Sequence, residues 1–247
     1  VNFFCGALYG SAEYKAADNK VSTSFGIRAD VASFSKETAK IWKQLSPRAS
    51  ISYLPIESLT LNASAGLYHQ LPPMTSLSFV DAEGRFANKE LPYMHTASGA
   101  VGIEWRLRER LQISLEGFFK QYYDIPVSVL TGVPLTCLGA DYGSIGEEDL
   151  TASGTGRSYG VELMGRWIIP DKLNIVGSVT LYKSEFRNGR GNEYIPSSWD
   201  NRFIVNLSGV YDLLKNWSIG AKLSAIGGAP YTPYDMEESS RKVVWDA

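Results

Sequence analysis

Long apolar runs are missing from this sequence. No stretch approaches the roughly eighteen consecutive apolar residues of a membrane-crossing helix, which excludes a transmembrane helix. Histidine is nearly absent, with 2 residues in 247. Catalysis by a histidine-activated nucleophile has little to draw on, because no serine or aspartate is marked as a partner for His69 or His95. Cysteine is equally scarce. Cys5 and Cys137 form no CxxC pair, so a thiolate metal site is excluded. Neither their spacing nor their context demands a disulfide, and both read as unpaired thiols. A basic excess is also lacking: net charge is -2, with no basic stripe interleaved with aromatics. Nucleic acid is therefore not an expected partner. A basic, apolar and cleavage-site leader is not visible at the start, where "VNFFCGALYG" already reads as strand. The final "RKVVWDA" reads as the middle of a loop, and the expectation is a part of a longer protein.

What is present is alternation with period two. Leu59, Leu61, Ala63, Ala65 and Leu67 mark one apolar face, and Val101, Ile103, Trp105 and Leu107 another. Leu111, Ile113, Leu115, Gly117 and Phe119 repeat the pattern. Residues 21–31, 159–169, 173–181, 203–211 and 217–225 behave alike, with looser candidates at 3–14 and 48–54. About ten strands and no convincing helix follow.

The charges respect this pattern. In these windows Arg28, Asp30, Arg48, Glu104, Arg106, Arg108, Glu116, Lys120, Glu162, Arg166, Arg202 and Lys222 all fall opposite the apolar residues. A sheet with one face in oil and one in water requires this, because a one-residue slip exchanges the faces. A charge facing lipid costs roughly 2–4 kcal/mol near the midplane.

Short links at 14–20, 54–59, 107–111, 169–173 and 211–217 alternate with long ones at 34–47, 69–96, 125–158, 183–201 and beyond 226. Short turns at one end and long loops at the other mark an outer-membrane barrel. Tyr53, Trp105, Trp167, Tyr211 and Trp217 lie beside the short turns on the apolar face, where an amphipathic ring suits the headgroup region. The expected fold is all-β: an antiparallel up-and-down transmembrane β-barrel, with about ten strands of a larger barrel visible.

Five stretches carry a family likeness: "DNKVSTSFGIRAD", "SPRASISYLPIESLTLNASAGLYHQLPP", "LEGFFKQYYDIP", "GRSYGVEL", and "WDNRFIVNLSGVYDL" followed by "GGAPYT". Their order and loop lengths resemble the barrels of TonB-dependent receptors of the Gram-negative outer membrane. The resemblance implies nutrient uptake rather than enzymatic activity, with no cofactor. It implies outer-membrane lipid around the wall and a small-molecule, glycan or peptide cargo. It also implies a TonB complex acting through an N-terminal region. Family barrels have about twenty-two strands. The resemblance therefore assigns residues 1–247 to the later part of a barrel, with plug domain and final strands absent.

In such a barrel, cargo recognition falls to inward residues near the long loops and to the loops themselves. Tyr68, Gln70, Tyr122 and Tyr182 have that parity, and His69 lies at the loop edge. Tyr159 reads as an upper girdle residue. Glu104, Arg106, Glu162 and Arg166 are expected to face a plug. A metal site drawn from His69, His95 and their loop is a weaker reading, and no metal is assigned. Two alternatives stand beside the receptor. One is a complete small barrel acting as enzyme or adhesin. The other is a soluble β-sandwich binding module.

Overall fold

The computed structural model describes residues 3–107, 110–139, 145–189, 193–214 and 216–231. These form one antiparallel sheet of eleven strands. The strands are β1 (Cys5–Ala16), β2 (Val21–Ala32), β3 (Leu45–Ile56), β4 (Leu59–Gln70), β5 (Met94–Leu107) and β6 (Leu111–Ser128). They continue with β7 (Leu150–Ile169), β8 (Leu173–Asn188), β9 (Ile195–Pro196), β10 (Phe203–Leu214) and β11 (Trp217–Ile226). Each strand pairs with its neighbour in chain order, except that β8 pairs with β10 along most of its length and with the short β9 at its far end. Among the described residues there is no second sheet, which removes the sandwich reading. Among the described residues β1 and β11 do not pair with each other, so the sheet is not closed, as in part of a larger barrel.

Register shows how sequence parity becomes two faces. Leu61 stands opposite Ile103, Ile103 opposite Leu115, Leu115 opposite Leu163, and Leu163 opposite Val179. One apolar row thus crosses five strands. Leu115 and Leu163 are close to half exposed on it. The charged positions share the other face, which is the lumen side of a barrel wall. Parity reverses at β1, where Ala12 pairs with Phe25 and Glu13 with Ser24. Glu13 and Lys15 therefore also face the lumen.

The tight turns use residues that tolerate left-handed backbone. Asp18 and Asn19 have φ of 52° and 67°, and Asp171 has φ of 55°. Short side chains that bond their own backbone make this conformation accessible.

Two sequence expectations change, and a third falls on a residue that is not described. Arg202 lies in a bend before β10 with φ of 65°, not in a strand. Arg108 lies outside the described residues. The link expected at 125–158 shrinks, because β6 runs to Ser128 and β7 begins at Leu150; β8 likewise extends to Asn188. A strand of twenty residues is ~65 Å long, far more than a tilted strand needs to cross a ~25 Å apolar band. The excess stands outside the hydrocarbon. There both faces meet water, alternation is not required, and "LTASGTG" carries no strand signal.

The buried core sits in the long loops rather than in the sheet. Phe34, Leu77, Leu91 and Leu150 form one cluster, joined by Phe3, Leu71 and Leu135. Among the described residues helix is limited to single turns at Ile41–Gln44, Met74–Leu77 and Leu135–Cys137. Asn88 ties the loops together from a buried position. Its amide donates to the Ser76 carbonyl at 2.9 Å and the Glu148 carbonyl at 2.7 Å, and its oxygen accepts from the Leu150 amide at 2.9 Å.

Candidate functional site

The lumen face is polar and largely self-satisfied near the short turns. Ser24 and Ser50 hydroxyls meet at 2.7 Å, and Ser52 donates to Asn62 at 2.6 Å. Arg106 bonds Glu104 at 2.8 Å, and Thr180 donates to Glu162 at 2.9 Å. Arg166 and Arg106 flank Gln112 in register, and with Arg110 they line a small recess of about 80 Å³. All four residues expected to face a plug thus lie on the lumen face. Glu116 is directly opposite Glu162. Like charges opposed across a sheet repel, so this spot favours a cationic neighbour within the lumen.

Towards the long loops the lumen becomes aromatic and cationic. The Arg48 guanidinium lies 4.6 Å from the Tyr68 ring centroid. A recess of about 490 Å³ is lined by Tyr9, Arg28, Arg48 and Tyr68. Arg28 is held by Asp30 at 2.7 Å, which leaves Arg48 as the cation presented to this space. Gln70 ends β4 at the edge of the loop spanning 71–93.

Tyr122 and Tyr182 lie on the same lumen face but on strands further along the sheet, β6 and β8. Tyr122 packs on Phe186 with ring centroids 5.3 Å apart. Gly156 lies between them in register, and a Cβ there would stand 2.0 Å from the Phe186 ring. Only glycine lets Phe186 fold across β7 to reach Tyr122. The Tyr182 hydroxyl donates to the Trp199 carbonyl at 2.7 Å, tying β8 to the loop before β10. The expected set therefore divides into a Tyr68–Gln70 group and a Tyr122–Tyr182 group.

His69 does not share the lumen. It pairs with His95, which pairs with Tyr123, on the face that carries Leu67 and Ala97. The rings stack in a row, with centroids 5.7 and 4.8 Å apart. His69 Nδ1 meets the Ser46 hydroxyl at 3.0 Å, and His95 Nδ1 meets Asp124 at 2.9 Å. Adjacent strand positions point to opposite faces, which separates His69 from Tyr68 and Gln70. Tyr53, Trp105, Trp167, Tyr211 and Trp217 all occupy the outward face, one or two rungs from the short turns.

The loop electrostatics are local. Glu37 accepts hydrogen bonds from Lys40 and from Lys43, which lower its pKa to about 2. Backbone and side-chain bonds from Arg85 hold Asp81 below the usual carboxylate range. Burial pushes the Cys137 thiol up, and Cys5 and Cys137 are both free.

Sequence reasoning passed over Arg157, Lys183, Glu185 and Arg187, because the strand windows stopped at 159 and 181. Simple continuation of parity places them on the outward face. Asn88 and Phe186 carried no sequence signal, since Asn88 acts through loop folding and Phe186 through packing across β7.

An extended up-and-down sheet with a lipid-compatible outer face, a polar lumen and ordered loops at one end is the wall of a transmembrane β-barrel. The TonB dependent receptor-like β-barrel family model matches residues 5–247, and the chain belongs to this family. Its membrane is the Gram-negative outer membrane. The ferric-catecholate import receptor Fiu of Escherichia coli K12 is similar at 16% identity with a TM-score of 0.65, covering 91% of this chain and 34% of that one. The siderophore receptor PirA of Acinetobacter baumannii is similar at 15% identity and TM-score 0.65, covering 89% and 33%. The alcaligin receptor FauA of Bordetella pertussis is similar at 17% identity and TM-score 0.58, covering 91% and 37%. The chain thus spans about a third of the length of these solved structures. No curated protein sequence matches it.

Proposed function

We propose that this barrel is the wall of an outer-membrane uptake receptor. It captures a scarce cargo at its loop end and passes it inward with energy delivered through TonB. The observation that carries this reading is the recess of Tyr9, Arg28, Arg48 and Tyr68, set on the lumen face near ordered loops. A cation beside phenol rings suits an anionic aromatic chelate. The names of Fiu, PirA and FauA point the same way, and an iron–siderophore complex is the first cargo to test. Gln70, Tyr122 and Tyr182 are further lumen contacts on this reading.

Glu104, Arg106, Glu162 and Arg166, with Glu116, would face a plug domain and hold it through exposed pairs. Such pairs contribute about 0–1 kcal/mol each. Tyr53, Trp105, Trp167, Tyr211 and Trp217 would form the girdle at the inner headgroups. Uptake of a radiolabelled ferric chelate into cells carrying the complete receptor tests the reading. Uptake is expected to stop when TonB is deleted, and Arg48→Ala to weaken cargo binding at least severalfold. Uptake that persists without TonB would overturn it.

A further inference from the structure

The loop between β4 and β5, residues 71–93, is tied to strands on both sides of its own hairpin. On one side a row of rings carries it to the start of the sheet. Phe86 meets Phe34, in the loop after β2, with ring centroids 6.3 Å apart, and Phe34 meets Phe3, ahead of β1, at 5.5 Å. Both contacts are edge-on, a favoured arrangement for aromatic pairs. Tyr93, the last residue before β5, is buried. Its phenol is pushed up to about 12, by burial first and then by Cys5 on β1 and Asp30 on β2.

On the other side the loop reaches β7. Asn88 donates to the Glu148 carbonyl and accepts from the Leu150 amide. Thr75 donates to the Ile145 carbonyl at 3.4 Å. Leu77, with no exposed surface, packs in one cluster with Leu91 and Leu150. One loop thus joins strand ends from β1 to β7, six strand spacings apart, or ~29 Å along the sheet. A body joining points so far apart on a curved wall lies along a chord, and a chord runs on the concave side. The concave side of a barrel wall is its lumen.

Burial agrees with this placement. Ala32 ends β2 with the lumen parity of Arg28 and Asp30, and it is fully buried. A single sheet cannot bury its own face, so a loop has to cover it. Thr38, also fully buried, donates to the Ala32 carbonyl at 2.9 Å from the loop that carries Phe34. Below this cover lies the recess of Tyr9, Arg28, Arg48 and Tyr68. Asp30 stands two residues above Arg28 on β2, a rise of ~6.6 Å, so the roof begins about one side-chain length above the recess. The roof cannot lift piecemeal. Swinging residues 71–93 clear would expose Leu77 and break the Asn88 hydrogen bonds at the same moment.

We propose that residues 71–93 are a fixed strap across the barrel mouth that selects cargo by size. The strap leaves the recess open only sideways, towards the middle of the lumen, and shuts out bulky molecules from above. Asn88 is the positioning residue that pins the strap to β7, and it touches no cargo. The use of the strap as a selector rests on the uptake reading; the roof itself does not.

The test is cysteine labelling on cells carrying the complete receptor, with Cys5 and Cys137 replaced by serine. Arg48→Cys places a thiol in the recess. It is treated from outside with a small membrane-impermeant maleimide, or with a maleimide on a long poly(ethylene glycol) chain. Labelling needs neither cargo nor TonB, so its failure is distinct from a failure of ferric-chelate uptake. The small reagent is expected to react and the polymer to be excluded. Adding Asn88→Ala is expected to speed the polymer's reaction roughly tenfold or more, because access is then set by local opening of the strap. Phe86→Ala frees the opposite anchor and provides a second variant, expected to act in the same direction. General loosening of the barrel would speed both reagents together, so the ratio of the two rates is the readout. Equal rates for both reagents beneath the native strap would overturn the proposal, as would labelling by neither. So would a ratio unchanged by both variants, which would put the exclusion elsewhere in the lumen. Fixity is read from nitroxides at the exposed Lys36 and Glu90. One narrow distance distribution is expected, and a broad or two-state one would overturn the fixed strap.

Discussion

Gly156 and Gly117 are both strand glycines with opposite surroundings. A Cβ at Gly156 would strike the Phe186 ring, whereas one at Gly117 would meet open space. Gly156→Val is expected to destabilise the barrel by about 1–3 kcal/mol through overpacking. Gly117→Ala should stay within about 0.5 kcal/mol. Thermal unfolding in detergent separates the two. Asn88 is the comparable polar case. Its three hydrogen bonds join residues 76, 148 and 150. Each buried group left unmet costs about 1–3 kcal/mol. Asn88→Ala is therefore expected to loosen the loops first, measured as faster proteolytic cleavage within residues 71–93 while the sheet remains resistant.

Single strands and loops make their own tests. Leu163 and Met164 are neighbours on β7 that face lipid and lumen respectively. Leu163→Arg should cost roughly 2–4 kcal/mol and Met164→Arg far less, because only the first puts a charge in hydrocarbon. Folding yields into lipid vesicles would read the difference, and equal losses would place the faces wrongly. In the loop spanning 33–44, Lys40 and Lys43 hold the Glu37 pKa at about 2, against an ordinary 4.5. A lowered carboxylate stabilises the folded loop above its unfolded pKa, and the contribution fades as pH falls from about 4.5 towards 2. Amide exchange at Thr38 is expected to accelerate across that window, and Glu37→Gln should remove the pH dependence.

At the scale of the molecule, an open sheet is the governing fact. Among the described residues β1 and β11 leave unpaired edges, and hydrocarbon does not tolerate unpaired backbone groups. The sheet has to meet other strands at both edges to stand in a membrane. Expressed alone, residues 1–247 are expected to give no heat-modifiable, protease-resistant barrel, whereas the complete receptor should. Function divides along the same axis. On the proposed reading, the lumen side offers Arg48 and Tyr68 to cargo and the Glu116–Glu162 pair to a plug. The outward side carries the apolar row of Leu115 and Leu163.

The sequence by itself determined the faces. Alternation of Leu163 with Glu162, or Trp105 with Glu104, is a consequence of oil on one side and water on the other, and hydrocarbon punishes every error. Inside the band that penalty writes the fold legibly, down to the short turns at Asp18 and Asp171. Beyond the band the penalty vanishes and the writing stops. The outer ends of β6, β7 and β8, the reach of Phe186 across Gly156, and the stacking of His69 on His95 and of His95 on Tyr123 came only from the tertiary structure. So did the gathering of Phe3, Phe34, Leu77 and Leu150 in one cluster across the loops. Those contacts join residues far apart in the chain, and no local periodicity encodes them.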